Sequence, residues 1–136
     1  MALQLGPVIG TIGGGAGGAY GQITTTTSMP RSWQPIPWDT GRDITNSTFT
    51  APADGDYIFV AVILKDSTVS SRNAAMRIVV NETVEHTTDA TAPGVLLHTV
   101  NLNKGDEIVV EVITDNPIAA AREIQPGSTL GIIRTV

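Results

Sequence analysis

The sequence predicts an all-β, antiparallel sandwich, on three observations. Short runs of β-branched and aromatic residues recur along the chain, each closed by Gly, Pro, Asn or Asp. Only 15% of the 136 residues are charged, and the chain is rich in Thr, Val, Ile and Gly, which suits sheets better than helices. The longest run is apolar on both faces. Tyr57, Phe59, Ala61 and Ile63 point one way, and Ile58, Val60, Val62 and Leu64 the other. A sheet with one face on a core alternates apolar with polar. A strand apolar on both sides needs cover on both, and in a small helix-free domain another copy of the chain supplies the second.

Residues 1–30 differ from the rest. Leu3, Leu5, Val8, Ile9 and Ile12 are diluted by glycines, and Thr24 to Thr27 follow as a polar run. Glycine has the largest entropy loss on folding and nothing to bury, so this stretch makes no core of its own. It reads either as a flexible linker or as an anchor arm that orders against a partner through those five apolar residues. Gly13-x-Gly15-x-x-Gly18 matches a dinucleotide fingerprint only formally. No strand precedes it and no helix follows it. A collagen repeat is not kept.

Residues 31–136 read as the domain. The span 34–39 is a first strand, confined to an edge by Pro35 and Pro37, and Gly41-Arg42-Asp43 is a turn. Strands 47–50 and 56–65 flank a turn at Pro52 to Gly55. A polar loop over 66–73 leads to a hairpin, 74–80 with 83–88, around Asn81-Glu82. After a loop at 89–94, strands 95–102 and 107–114 flank Lys104-Gly105. The span 115–127 is an irregular crossing or a helical turn, and 128–136 closes the sheet. Apolar residues again occupy second faces: Val109 and Ile113 behind Ile108, Val110 and Val112, and Ile133 behind Leu130 and Ile132.

The run Phe49-Thr50-Ala51-Pro52-Ala53-Asp54-Gly55-Asp56-Tyr57-Ile58-Phe59 resembles the signature of the C1q/TNF-like jelly-roll family. Further pieces fall in the family's order. Ile36-Pro37-Trp38-Asp39 is similar to its first strand. Val95-Leu96-Leu97 through Lys104-Gly105-Asp106 to Val109-Val110 is similar to its strand, Lys-Gly-Asp turn and strand. Ser128 to Ile133 is similar to its closing strand. The resemblance spans roughly residues 32–136. Glu82 stands where the family often has Gly. The resemblance implies a jelly roll that assembles as a homotrimer. The candidate trimer-interface or core residues are Tyr57, Ile58, Phe59, Val60, Val62, Leu64, Val109, Ile113, Ile132 and Ile133.

No catalytic constellation is present, so no enzyme is expected. His86 and His98 lack ligand spacing with a second His or Cys, and no cofactor is expected. Some C1q-like heads bind calcium through loop carboxylates. Asp54, Asp56, Asp66 and Asp89 are the candidates for that here, although no stretch offers a dedicated six-oxygen loop. Candidate ligand-contacting loop residues are Asp66, Ser70, Asn73, Asp89, Asp115 and Asn116. Trp33 and Trp38 read as packing of the first strand. The sequons at Asn46 and Asn81 read as chance matches. A net charge of −5 gives no general attraction to nucleic acid. The chain has no cysteine, so disulfides play no part. The first basic residue is Arg31, which does not fit a signal peptide, and no run is long enough for a membrane span.

The expected function is structural: a homotrimeric module held on a larger protein assembly, a capsid or fibre base, by residues 1–30. The expected setting is the virion surface, as a phage capsid decoration or head-fibre protein. The alternative is a receptor- or glycan-binding recognition head, at a fibre tip or extracellular.

Overall fold

The computed structural model describes residues 18–65, 74–90 and 94–135. It contains twelve strands among these residues: β1 (Ala19–Gln22), β2 (Thr27–Ser28), β3 (Gln34–Pro35), β4 (Thr40–Arg42), β5 (Thr48–Thr50), β6 (Gly55–Ile63), β7 (Ala74–Val80), β8 (Thr83–Asp89), β9 (Gly94–Leu102), β10 (Glu107–Thr114), β11 (Glu123–Ile124) and β12 (Thr129–Arg134). One sheet runs β4-β1-β12-β6-β9. The other runs β3-β10-β7-β8, and β5 shares the β3 side of β10. All strand pairs named in the register are antiparallel, as the residue pattern predicted. A small ladder of β11 with β2 stands apart from these sheets. The uncertain crossing resolves into a short 3-10 turn, Ala119–Arg122.

The core lies between the two sheets. Tyr57, Phe59, Ala61, Ile63, Leu130 and Ile132 meet Met76, Ile78, Ile108, Val110 and Val112, all buried. Phe49 stands edge-on to Tyr57 and to Phe59, at 5.7 and 6.5 Å between ring centroids, the geometry aromatic quadrupoles favour. Tyr57 buries its ring and donates its hydroxyl to the Ala53 carbonyl at 2.6 Å. The aromatic positions of the signature are therefore the centre of the core.

Three turns lock together at one end. The Asp54 carboxylate accepts from the Lys104 backbone N–H at 2.7 Å, and Ala51 exchanges backbone bonds with Gly105 and Asp106. Asp106 accepts from the Asn103 N–H and from the Asn81 amide, whose own oxygen accepts from the Glu107 N–H. The Ala-Pro-x-x-Gly and Lys-Gly-Asp pieces thus belong to one joint.

The structure departs from the sequence reading at the N-terminus. The sheet begins at Ala19, so residues 19–22 lie within the sandwich, and Ile23 and Met29 are buried in its core, not in a separate arm ending at residue 30. The strand β1 sits between β4 and β12. Its inward positions are the small residues Ala19 and Gly21, both buried. A Cβ added to Gly21 would come 3.0 Å from the Trp38 side chain, a close approach that explains a glycine in a strand. Gly41-Arg42, expected in a turn, belongs to β4. The expected anchor residues Leu3, Leu5, Val8, Ile9 and Ile12 lie outside the described residues.

Candidate functional site

Side chains of directly opposed residues share a face of a sheet. The register therefore fixes the outward face of β4-β1-β12-β6-β9. On it Val60 lies between Leu97 and Gly131, Val62 between Val95 and Thr129, and Ile58 between Thr99 and Ile133. Tyr20 is the next outward residue across Gly131, and its hydroxyl meets the Gln22 side chain at 3.3 Å. Leu97 is 67% exposed and Val95 49%. Ile58, Val60 and Val62 are half-buried. Contiguous exposed apolar side chains of this kind mark contact sites on soluble proteins.

The expected interface-or-core residues divide by sheet and by face. Tyr57, Phe59 and Ile132 are fully buried in the core. Ile58, Val60 and Val62 point outward on the apolar face, and Ile133 joins them there although it is itself buried. Leu64 follows β6 and is 37% exposed. Val109 and Ile113 lie on the outward face of the opposite sheet, the wrong side of the sandwich for a face built on Val60. Val109 neighbours Val79 there. Beside them Arg77 pairs with Glu111 at 2.7 Å and lies 4.1 Å from the Trp33 ring centroid. Trp33 packs against that cation, and Trp38 is in the core.

The sequence reading missed Tyr20, Val95, Leu97 and Thr99 as members of the face. The signal for β9 was present, since Val95, Leu96 and Leu97 are consecutive and so apolar on both sides. The signal for Tyr20 was hidden by its glycine neighbours.

The loop candidates are not brought together. Asp66, Ser70 and Asn73 lie outside the described residues. Asp89 ends β8. Asp115 pairs with Arg31 at 2.9 Å. Asn116 accepts from the Ile118 N–H through its side chain and from Arg122 through its carbonyl, so it organises the crossing. Among the candidate calcium carboxylates, Asp54 fastens the Lys104 turn and Asp56 accepts from Asn101 at 2.8 Å. Among the described residues no three His, Cys, Asp or Glu side chains converge to hold a metal ion. No helix among them is long and apolar enough to cross a membrane.

No protein-family model and no curated protein matches the sequence. Solved structures do match the fold. The globular domain of zebrafish complement 1qA protein superposes with a TM-score of 0.60 at 14% identity, covering 89% of this chain and 98% of that one. Murine APRIL at pH 5.0 superposes with a TM-score of 0.57 at 16% identity, covering 88% and 99%. At such identity the likeness is one of fold, and it is the fold that the signature around Tyr57 implied: the chain is a C1q/TNF-like jelly roll.

Proposed function

We propose that the chain is a non-enzymatic jelly-roll module that works as a homotrimer, three copies packing through the outward face of β6, β9, β12 and β1. The observation that carries this reading is the apolar set of exposed Val95 and Leu97 beside half-buried Val60 on that face. The C1q/TNF-like fold supports it, because the resemblance implies a threefold assembly. The finer reading is a module displayed on a larger assembly through its Gly-rich N-terminal residues, as a phage capsid decoration or head-fibre protein at a virion surface. The cysteine-free composition and the apolar/Gly N-terminal stretch support it.

The reading is tested by light-scattering mass on the full chain and on Leu97→Asp. Leu97 is exposed in the single chain, so a charge there leaves the monomer fold intact while a buried unpaired charge disrupts assembly. Wild type is expected at three times the chain mass, and Leu97→Asp as a folded monomer. A monomeric wild type, or a trimeric Leu97→Asp, overturns the interface. A second reading, an extracellular or fibre-tip recognition head, is favoured by a cleft of about 550 Å³ of mixed polar and apolar lining that includes Asp43, Asn46, Phe49, Pro52 and Glu107. Asp43→Ala and Glu107→Ala that abolish ligand capture while the trimer persists would support recognition over display.

A further inference from the structure

The only two histidines of the chain meet. His86 in β8 and His98 in β9 belong to different sheets, each on an edge strand: among the described residues β8 pairs only with β7, and β9 only with β6. The register sets His86 opposite Ile78 and His98 opposite Phe59, so both rings point into the sandwich. There they stack face to face, 3.9 Å between centroids and 3° between planes. A bulge beside Ile78 and Val79 leaves Glu85 as the extra residue, and bulges of this kind re-aim the neighbouring side chain.

Among the described residues the stack has no counter-charge. From β7 it faces Ile78 and Met76, and from β6 Phe59, with Tyr57 further along and its hydroxyl bonded to Ala53. The inward residues flanking it are Thr88 on β8 and Leu96 and Val100 on β9. Glu85 and Asp89 on β8 are exposed. Arg77 points to the outer face, where Glu111 holds it. No described carboxylate forms an ion pair with either ring. Neutral imidazoles stack favourably, whereas two imidazoliums at this separation repel.

We propose that the His86–His98 stack is an acid-released clasp that closes the open β8–β9 side of the sandwich and, through β9, holds Val95 and Leu97 in the assembly face. The second half rests on the trimer reading above. Partial burial, and then the neighbouring His98, hold the pKa of His86 below the ordinary 6.5. The folded chain therefore binds protons at lower pH than the unfolded chain. The clasp contributes fully above pH 6.5 and is lost as pH falls through the folded value. Strand β9 carries the pH effect outward because its residues alternate between the stack and the face: His98 inward, Leu97 and Thr99 outward.

Amide hydrogen exchange on the full chain at pH 7.5 and 5.0, alongside light-scattering mass, tests this against His86→Phe, a ring that stacks without taking a proton. At pH 5.0 wild-type β8 and β9 amides are expected to open more than those of the variant, by up to about 30-fold for a group with an unfolded pKa of 6.5, with β10 and β7 alike in both. Wild-type mass falls at pH 5.0 and the variant's does not. Equal β8–β9 exchange in the two proteins overturns the clasp. A single-chain mass at pH 7.5 overturns the trimer reading and the half that rests on it, while the exchange still decides the clasp. Should the variant not fold, imidazole proton NMR of the wild type decides the same point. Two titration steps separated by about one unit or more support coupling, and two coincident steps near pH 6.5 overturn it.

Discussion

Glu82 has a φ of 70°, following Asn81 at 47°. Both central residues of this two-residue hairpin are left-handed, which its twist requires and which Asn-Gly meets without strain. A side chain in this region costs about 1–2 kcal/mol. Glu82→Gly is therefore expected to raise unfolding stability by about 1 kcal/mol, read as a higher urea midpoint at unchanged slope. An unchanged or lower midpoint would show that the Glu82 side chain makes a compensating contact. Asn46 and Ser47, at 51° and 64°, form the same kind of turn, closed by paired Thr45–Thr48 backbone bonds. The two sequons are thus tight turns. At this scale the sequence is legible where a residue's chemistry is local. The departure at Glu82 stood out against the resemblance, which often has Gly there, and the parity of Tyr57 and Val60 was settled by the two-residue period of a strand.

Elements are joined here by carboxylates at turns. Asp106 is the clearest case, tying β9 to β10 and both to the β7–β8 hairpin. The backbone N–H of Asn103 and then the Asn81 amide hold its pKa below the ordinary 3.8. A carboxylate with a depressed folded pKa contributes fully above its unfolded value, and the contribution is lost as pH falls through the folded one. Asp106→Asn is therefore expected to flatten the decline of thermal stability below about pH 4 relative to wild type. Identical acid profiles would show that the turn does not depend on the charge. The long strands, β6 to β10, were legible because each carries at least seven residues of pattern between clear turn signals. Of the short ones, β3 and β5 fall within spans read as strands, whereas β1, β2, β4 and β11 were not legible. Thr40–Arg42 is a strand because β1 offers it an edge, and nothing within three residues can announce a partner eighteen or more positions away.

Across the whole molecule, β1 is the piece that decides how the chain can be cut. It fills the place between β4 and β12, and Ile23 behind it is buried. A chain beginning at residue 18 is expected to fold with the circular dichroism and melting behaviour of the full chain. A chain beginning at residue 31 loses β1 and β2, exposes the β12 edge and is expected to aggregate or to melt well below it. Normal folding of the shorter chain would show β1 to be dispensable. Any truncation used to test whether the N-terminal residues attach the module to an assembly must accordingly stop before Ala19.

The sequence by itself determined the sandwich, its long strands and its central signature, because these depend on turn chemistry and on a period of two, both local. It also showed that β6 needs cover on two sides. Only the tertiary structure decided which of those sides is core, that Val109 and Ile113 lie on the far sheet, that Tyr20 and Leu97 share a face, and that His86 meets His98. Each of these is a contact between residues distant in the chain, created when the sheets close on one another, and no local pattern encodes it.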